Sequence, residues 1–269
     1  MIRLAPDSVA LVTGASSGIG QAIAQRLAVQ QVPLVLVARS KDRLEALAAD
    51  WRTRYGGDVH VLPLDLSAAG AVETLFERTE GEGRAVDLLV NNAGFGLNGA
   101  FDELPLERTL ALLELNVRVF TESCHRFLAP MRARRHGRIL NVASTAAFLP
   151  VPYMAVYAAS KAFVLSLSHA LHEEARGDGV TVTALCPGYT RTAFHDVAGM
   201  KGAEATPFPE MTAEAVADAG LLALENERAL RVTHPLDRLW IACGRLTPRS
   251  FPPRLAAFVF RRTPLSSKT

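Results

Sequence analysis

Cysteine is scarce in this chain. The three residues, Cys124, Cys186 and Cys243, lie far apart and share no metal-ligand spacing. This excludes a disulfide framework, and the thiols read as small, buried apolar side chains in a reducing compartment. Long apolar runs are missing too. No stretch approaches the roughly 20 apolar residues of a membrane-spanning helix, and Met1–Asp7 does not lead into the apolar segment of a secretory signal. Net charge is slight, +2 over 269 residues, too little to suggest nucleic-acid binding across the whole molecule. The seven histidines form no His-Glu-x-x-His pattern, and His169 and His172 are read as ordinary residues, so no metal site is expected. What remains is 49% apolar and 21% charged residues, enough to bury a sizeable core without staples. A cytoplasmic globular protein is the expectation.

Short β-branched runs recur, at Val9–Val12, Leu34–Val37, Val59–Leu62, Leu88–Val90, Ile139–Val142, Val180–Leu185 and Leu230–Val232. Most are continuous rather than alternating, as strands covered on both faces require. Helical stripes lie between them: Ile19, Ile23 and Leu27; then Leu44, Leu47 and Trp51 behind Ser40 as N-cap; then a long segment from Leu106 to about Arg135. Strand-then-helix repetition predicts an α/β fold: a doubly wound, Rossmann-like, mostly parallel seven-stranded sheet with helices on both faces. One domain is expected over residues 1–233, followed by an extension over 234–269.

Directly after the first strand comes Thr13-Gly14-Ala15-Ser16-Ser17-Gly18-Ile19-Gly20. With little side-chain bulk at a strand–turn–helix junction, a diphosphate can approach backbone N–H groups at the positive helix end. No Gly-Lys-Ser/Thr follows, so this is not an NTPase phosphate loop. At the end of the second strand, an NAD-specific site wants a carboxylate for the ribose 2′-hydroxyl. The chain has Ala38-Arg39-Ser40 there. A guanidinium suits a 2′-phosphate, so Arg39 and Ser40 favour NADP(H) over NAD(H), although a solvated loop arginine would look the same. Asp42 falls further on, in a first helical turn where an acid suits the dipole.

Tyr157 and Lys161 are four residues apart in a helix expected from about Pro152, and so share a face. A free phenol titrates near 10, and bringing it to about 7 takes roughly 4 kcal/mol of phenolate stabilisation. A neighbouring ammonium in a partly desolvated site, helped by the positive charge of an oxidised nicotinamide, is a source of it. Ser144 ends the strand Ile139–Val142, where ligands sit in open α/β sheets. Its neighbours lack the glycines of a hydrolase nucleophile elbow.

Taken together, these motifs resemble the short-chain dehydrogenase/reductase family of the Tyr-x-x-x-Lys type, from about Val9 to Thr192. The turn Thr13–Gly20 looks like that family's glycine motif, with Gly14, Ser16, Ser17, Gly18, Ile19 and Gly20 toward the cofactor. Asp65-Leu66 is similar to its adenine-contacting pair. Asn91-Asn92-Ala93-Gly94 is similar to its fourth-strand motif. Pro187, Gly188, Thr190 and Thr192 resemble its nicotinamide-side loop, and Asn116, Ser144, Tyr157 and Lys161 coincide with its catalytic tetrad. The resemblance implies that Tyr157 exchanges the proton with the substrate oxygen while hydride moves at carbon, and that Ser144 hydrogen-bonds that oxygen. It further implies that Lys161 acidifies Tyr157 and holds the nicotinamide ribose, and that Asn116 supports a relay water. A mid-helix asparagine satisfied by backbone is the competing view of Asn116. The implied activity is NADP(H)-dependent hydride transfer to or from a carbonyl or secondary alcohol, by a homodimer or homotetramer. The rivals are a catalytically silent NADPH-binding regulator and a lyase or epimerase on the same fold.

Phe95, Leu97, Phe148, Leu149, Val151, Pro152, Tyr153, Phe194 and Met200 suggest an apolar cleft for a moderately hydrophobic substrate, or else caps on the core. The Gly- and Pro-containing segment 190–210 reads as a lid. Beyond it, Leu236, Leu239, Trp240, Cys243 and Leu246 make one amphipathic stripe, and Leu255, Phe258 and Val259 a second. From His234 onward there are seven Lys/Arg residues and one acid. Such a tail over 235–262 can lie on an anionic membrane surface, which would make the protein peripheral. A helix packed over the cleft or on a second subunit is the favoured reading.

Overall fold

Each predicted apolar run forms a strand in the computed structural model, which describes residues 8–192, 194, 198, 209–245, 254 and 257. The strands are β1 (Val9–Thr13), β2 (Leu34–Ala38), β3 (Val59–Pro63), β4 (Val86–Asn91), β5 (Gly137–Val142), β6 (Val180–Cys186), a two-residue β7 (Thr190–Arg191), a two-residue β8 (Met211–Thr212) and β9 (Leu230–Val232). Seven of them make one parallel sheet in the order β3-β2-β1-β4-β5-β6-β9. Leu11 pairs with Val35 on one side and with Leu89 on the other. The order reverses between β1 and β4, and that reversal opens a crevice at the carboxyl ends of the strands.

The continuous apolar runs are explained by helices on both faces. The helices are α1 (Gly18–Val29), α2 (Lys41–Tyr55), α3 (Ala71–Glu77), α4 (Leu106–Leu113), α5 (Phe120–Arg134), α6 (Ala155–Ala175), α7 (Ala213–Glu225) and α8 (Pro235–Arg245). Val12, Leu36 and Val90 pack against Ile23 and Leu27 of α1, Trp51 of α2 and Val216 of α7. Their strand neighbours Leu11, Val35 and Leu89 point the other way, onto Leu75 of α3, Phe127 and Met131 of α5 and Val164 of α6.

Three local departures from the sequence reading matter for the site. The predicted helix 106–135 is interrupted by a π-helical turn, Glu114–Val119, that contains Asn116. An inserted residue of this kind redirects the side chains of its turn. The helix expected from Pro152 starts at Ala155, behind Tyr153, whose φ of 66° is unusual for a bulky residue. Ser40 occupies the N-cap of α2 without a side-chain cap bond. The predicted lid, 190–210, is held at its ends by the parallel pairing of β7 with β8 and by Arg191, which donates to both carboxylate oxygens of Glu210 at 2.7 and 2.9 Å. Most of the residues between, including Gly199, Met200, Gly202 and Pro207, lie outside the described residues, as do Leu246, Leu255, Phe258 and Val259 of the tail.

The start of the C-terminal extension is α8. Asp237 and Ile241 face inward and are buried, whereas Leu236 and Leu239 of the predicted stripe are 58% and 61% exposed. Cys243 is exposed, unlike Cys124 and Cys186, so the expectation of three buried thiols fails at this position. No helix among the described residues is long and apolar enough to cross a membrane.

Candidate active site

The turn between β1 and α1 is latched onto the end of β4 by one hydroxyl and one amide. Thr13 Oγ1 donates to Val90 O at 3.1 Å and accepts from the backbone N–H of Asn92 and Ala93 at 3.0 and 3.1 Å. Asn92 Nδ2 donates to the carbonyls of Thr13 and Gly14. Two glycines make this approach feasible. Gly14 has φ +65°, and a Cβ on Gly20 would lie 2.3 Å from Asn92 Nδ2 and 2.5 Å from Gly14 O. No acid stands in the first turn of α1 to oppose an anion.

From this turn a cavity of about 710 Å³ runs along the carboxyl ends of the strands. Small-molecule sites span roughly 300–1,000 Å³. At one end it is lined by Gly14, Ser16, Ser17, Gly18 and Ile19, then by Arg39 and Ser40 at the tip of β2 and Asp65 and Leu66 beyond β3. Ser67 donates through both Oγ (2.6 Å) and its backbone N–H to Asp65 Oδ1. Those bonds, with the Arg39 guanidinium across from them, hold the Asp65 carboxyl below its ordinary value. The middle is lined by Asn92, Ala93 and Gly94. The far end brings in Ser144, Tyr157, Lys161, Pro187, Gly188, Thr190 and Thr192. Gly20 does not line the cavity; its place is the close packing beneath the turn.

Ser144, Tyr157 and Lys161 meet because β5 ends at Val142 and α6 returns along the same edge. The Ser144 and Tyr157 hydroxyls share a hydrogen bond, and Ser144 Oγ also accepts from the N–H of Ala146 at 3.1 Å. Lys161 Nζ donates to Val142 O at 2.8 Å and lies 5.9 Å from the centre of the Tyr157 ring. Tyr157 and Lys161 are buried, with Ser144 partly so, and burial acts oppositely on the two titratable groups. It pushes the Tyr157 phenol up to about 12, against the partial relief of the Ser144 bond. It lowers Lys161 to about 8. A phenol acidified to neutrality by the protein alone is therefore the wrong picture: the ammonium is aimed at a carbonyl, and desolvation outweighs what it offers the ring.

Asn116 is engaged by backbone. Its Oδ1 accepts from Phe95 N–H at 3.2 Å, and its Nδ2 donates to Phe95 O at 3.0 Å and to Ser160 Oγ at 3.1 Å. Ser160 in turn donates to Tyr157 O at 2.7 Å. The π turn thus aims the Asn116 side chain at the loop after β4 and at the base of Tyr157, outside the cavity lining. Ser160 and Thr13 were invisible as latches in the sequence, since lone hydroxyls carry no spacing signal.

Of the predicted apolar lining, Phe95, Leu149, Val151 and Phe194 reach the cavity. Leu97 is buried in the cluster beneath Tyr157, and Phe148, Pro152 and Tyr153 lie off the lining. The sequence reading missed Arg108 of α4, Met154, Tyr189, and Asp237, Trp240 and Ile241 of α8. Phe194 packs on Tyr157 at 5.4 Å between ring centres. His172 is structural, its Nδ1 2.8 Å from Val182 O.

Comparison with known proteins agrees with this geometry. The family model described as short chain dehydrogenase matches residues 8–201. The ketoacyl reductase HetN of Nostoc sp. is 31% identical over 255 residues, which is 89% of this chain and 85% of that protein. A short-chain dehydrogenase from Sphingobium yanoikuyae, solved in complex with NADPH, superposes with a TM-score of 0.81 at 33% identity, over 89% of this chain and 93% of its own. The bulky-bulky ketone specific alcohol dehydrogenase of Comamonas testosteroni superposes with a TM-score of 0.77 at 27% identity, over 97% of each chain. A family model spanning most of the sequence, joined to folds this close, leaves one assignment: the chain belongs to the short-chain dehydrogenase/reductase family.

Proposed function

We propose that the protein is an NADP(H)-dependent oxidoreductase acting on the carbonyl or secondary alcohol of a moderately hydrophobic small molecule. The observation that carries this reading is the single cavity. It joins an acid-free, glycine-containing helix N-terminus and Arg39 at one end to the hydrogen-bonded pair Ser144–Tyr157 at the other.

A dinucleotide fits this cleft on physical grounds. Gly14 and Gly18 bring no side chain of their own to a diphosphate, Thr192 packs beside Gly18, and the N-terminus of α1 is free of acids. Arg39 and Ser40 would hold a 2′-phosphate, with Asp65 and Leu66 beside the adenine. Lys161 keeps one N–H on Val142 O and has two left for ribose hydroxyls. Thr190 and Thr192 flank the carboxamide end. Bound nicotinamide supplies or accepts the hydride.

The chain's own contribution is the proton. Ser144 donates a hydrogen bond to the substrate oxygen and fixes it beside Tyr157. With its pKa near 12, the Tyr157 hydroxyl stays protonated until the oxygen acquires alkoxide character, and it then donates. Oxidation asks the same phenol to act as base, which its burial opposes until the positive charge of oxidised nicotinamide is added. Leu149, Val151, Phe194 and Ile241 exclude water around the reacting carbon. The preference of the Comamonas enzyme for bulky ketones supports a hydrophobic carbonyl compound as substrate.

The test is a screen of ketones, aldehydes and alcohols for absorbance change linked to NADPH, repeated with NADH. Stoichiometric NADPH consumption with a ketone is expected. Binding without consumption would instead favour a regulator, and turnover without net consumption a lyase or epimerase. A clear preference for NADH would remove the role given to Arg39.

A further inference from the structure

The chain carries a second polar anchor in the cleft, on the helix that no motif announced. Asp237 is 5% exposed, and its Oδ2 is buried without a hydrogen-bond partner among the described residues. It lines the same cavity as Ser144 and Tyr157, flanked by Trp240 and Ile241. It fits there because residue 188 is glycine: a Cβ on Gly188 would lie 2.1 Å from Oδ2. An acid in the first turn of α8 suits the helix dipole, yet Asp237 Oδ2 makes no capping hydrogen bond among the described residues, and the N–H of Leu236 goes to His234 Nδ1 at 3.1 Å. Burial pushes the Asp237 carboxyl up from its ordinary value, with His234 partly opposing. Oδ2 itself is closed off against Gly188, so a ligand's donor can meet the carboxylate only at Oδ1; burying a carboxylate without partners is costly, and a donor at Oδ1 recovers part of that cost.

We propose that Asp237 is a specificity-determining residue that accepts a hydrogen bond from a donor group on the substrate, a hydroxyl or an amine remote from the reacting carbonyl. The substrate class is thereby narrowed from a plain hydrophobic ketone to one bearing a second, protic group. The surrounding Leu149, Trp240 and Ile241 would cover the hydrocarbon that links the two. A site built around a buried acceptor rejects the analogue that cannot donate, because the acceptor is then left bare. The turnover part of this inference rests on the oxidoreductase reading above.

The experiment uses alicyclic and aromatic hydroxyketones of graded length, each beside its O-methyl ether and its amino analogue. They are assayed with NADPH on the full-length protein and on Asp237→Ala and Asp237→Asn. The wild type is expected to favour at least one hydroxyketone or aminoketone over its ether by about tenfold or more in kcat/KM, mainly through KM. In Asp237→Ala that ratio falls to near one, with the NADPH Kd moved by less than about threefold. The near-isosteric Asp237→Asn keeps acceptance of a hydroxyl but loses any preference for the amine, and it serves as the folded control. A wild type that treats every hydroxyketone, aminoketone and ether alike overturns the proposal. So does an Asp237→Ala variant that slows all ketones equally or loses NADPH binding with the ratio intact, since Asp237 would then merely position the Pro187–Gly188 loop. Should no ketone turn over, the oxidoreductase reading fails by itself. The same ligands' effects on the Tm of the NADPH-loaded wild type and Asp237→Ala still decide the role of the carboxylate, with a donor-dependent shift seen only in the wild type as the supporting result.

Discussion

The two ends of the cleft are built by different means. The end at β1, β2 and β4 is made of backbone: Thr13, Asn92 and the glycines at 14 and 20 latch one turn onto one strand end, and every latch is satisfied. The end at α4, α6 and α8 is made of side chains drawn from segments far apart in sequence, among them Arg108, Phe194 and Asp237, and it contains an acceptor with no partner among the described residues. A backbone cradle recognises what every cofactor of one class shares. A side-chain wall recognises what distinguishes one substrate from another.

Four variants would break or sharpen this contrast. The largest effect is expected from Tyr157→Phe, at the seam between the ends. Turnover should fall by about a thousandfold or more, the range for a lost general acid, while the NADPH Kd from fluorescence titration stays within about threefold. Next is Gly20→Val, aimed at the backbone end alone. The added atoms overlap Gly14 O and Asn92 Nδ2, so overpacking of about 1–3 kcal/mol should lower Tm by roughly 3–10 °C in calorimetry and weaken NADPH binding. If Gly20→Val binds NADPH as the wild type does, the cradle is less rigid than its hydrogen bonds imply. Arg39→Ala should then cost about 10- to 100-fold in NADPH affinity, with little change for NADH, as measured by isothermal titration.

The smallest effect concerns Lys161 and pH. Its folded pKa of about 8 lies below the ordinary 10.5, so folding disfavours its charged form. Below pH 8 both states hold the proton and the penalty is in force. Between about 8 and 10.5 the unfolded chain holds more protons, so this group makes the cofactor-free protein more stable as pH rises. Urea midpoints of wild type and Lys161→Met, compared at pH 8 and at the alkaline side of that window, should show the wild type gaining on the variant. A constant difference would mean that the lysine is not desolvated.

The same contrast sets what could be read before the fold was known. Runs such as Val9–Val12 and Val180–Leu185 are apolar on both faces because helices cover both, so seven strands and their mostly parallel direction were legible, though not their order in the sheet. The turn Thr13–Gly20 was legible because a close backbone approach restricts residue types at consecutive positions. Asn116 was legible as a residue but not as a clamp, since the π turn that redirects it arises from packing against α6. The balance at the tyrosine was not legible, because a four-residue spacing reports neighbourhood but not how strongly burial opposes the phenolate before a cofactor's charge is added. The α8 stripe was read as one apolar face, yet the face turned inward carries Asp237 and Ile241, a choice made by the empty space at Gly188 that lies far away in sequence.

One small device has a further consequence. The strands β7 and β8 clip together the two ends of the segment between Arg191 and Met211, independently of the main sheet. The clip sets where the chain leaves and rejoins the body of the protein, and just inside it Phe194 is delivered onto the Tyr157 ring while Ala198 O accepts from the N–H of Asn98. An exchange of sequence at the clip would therefore be felt at the tyrosine, through its aromatic neighbour.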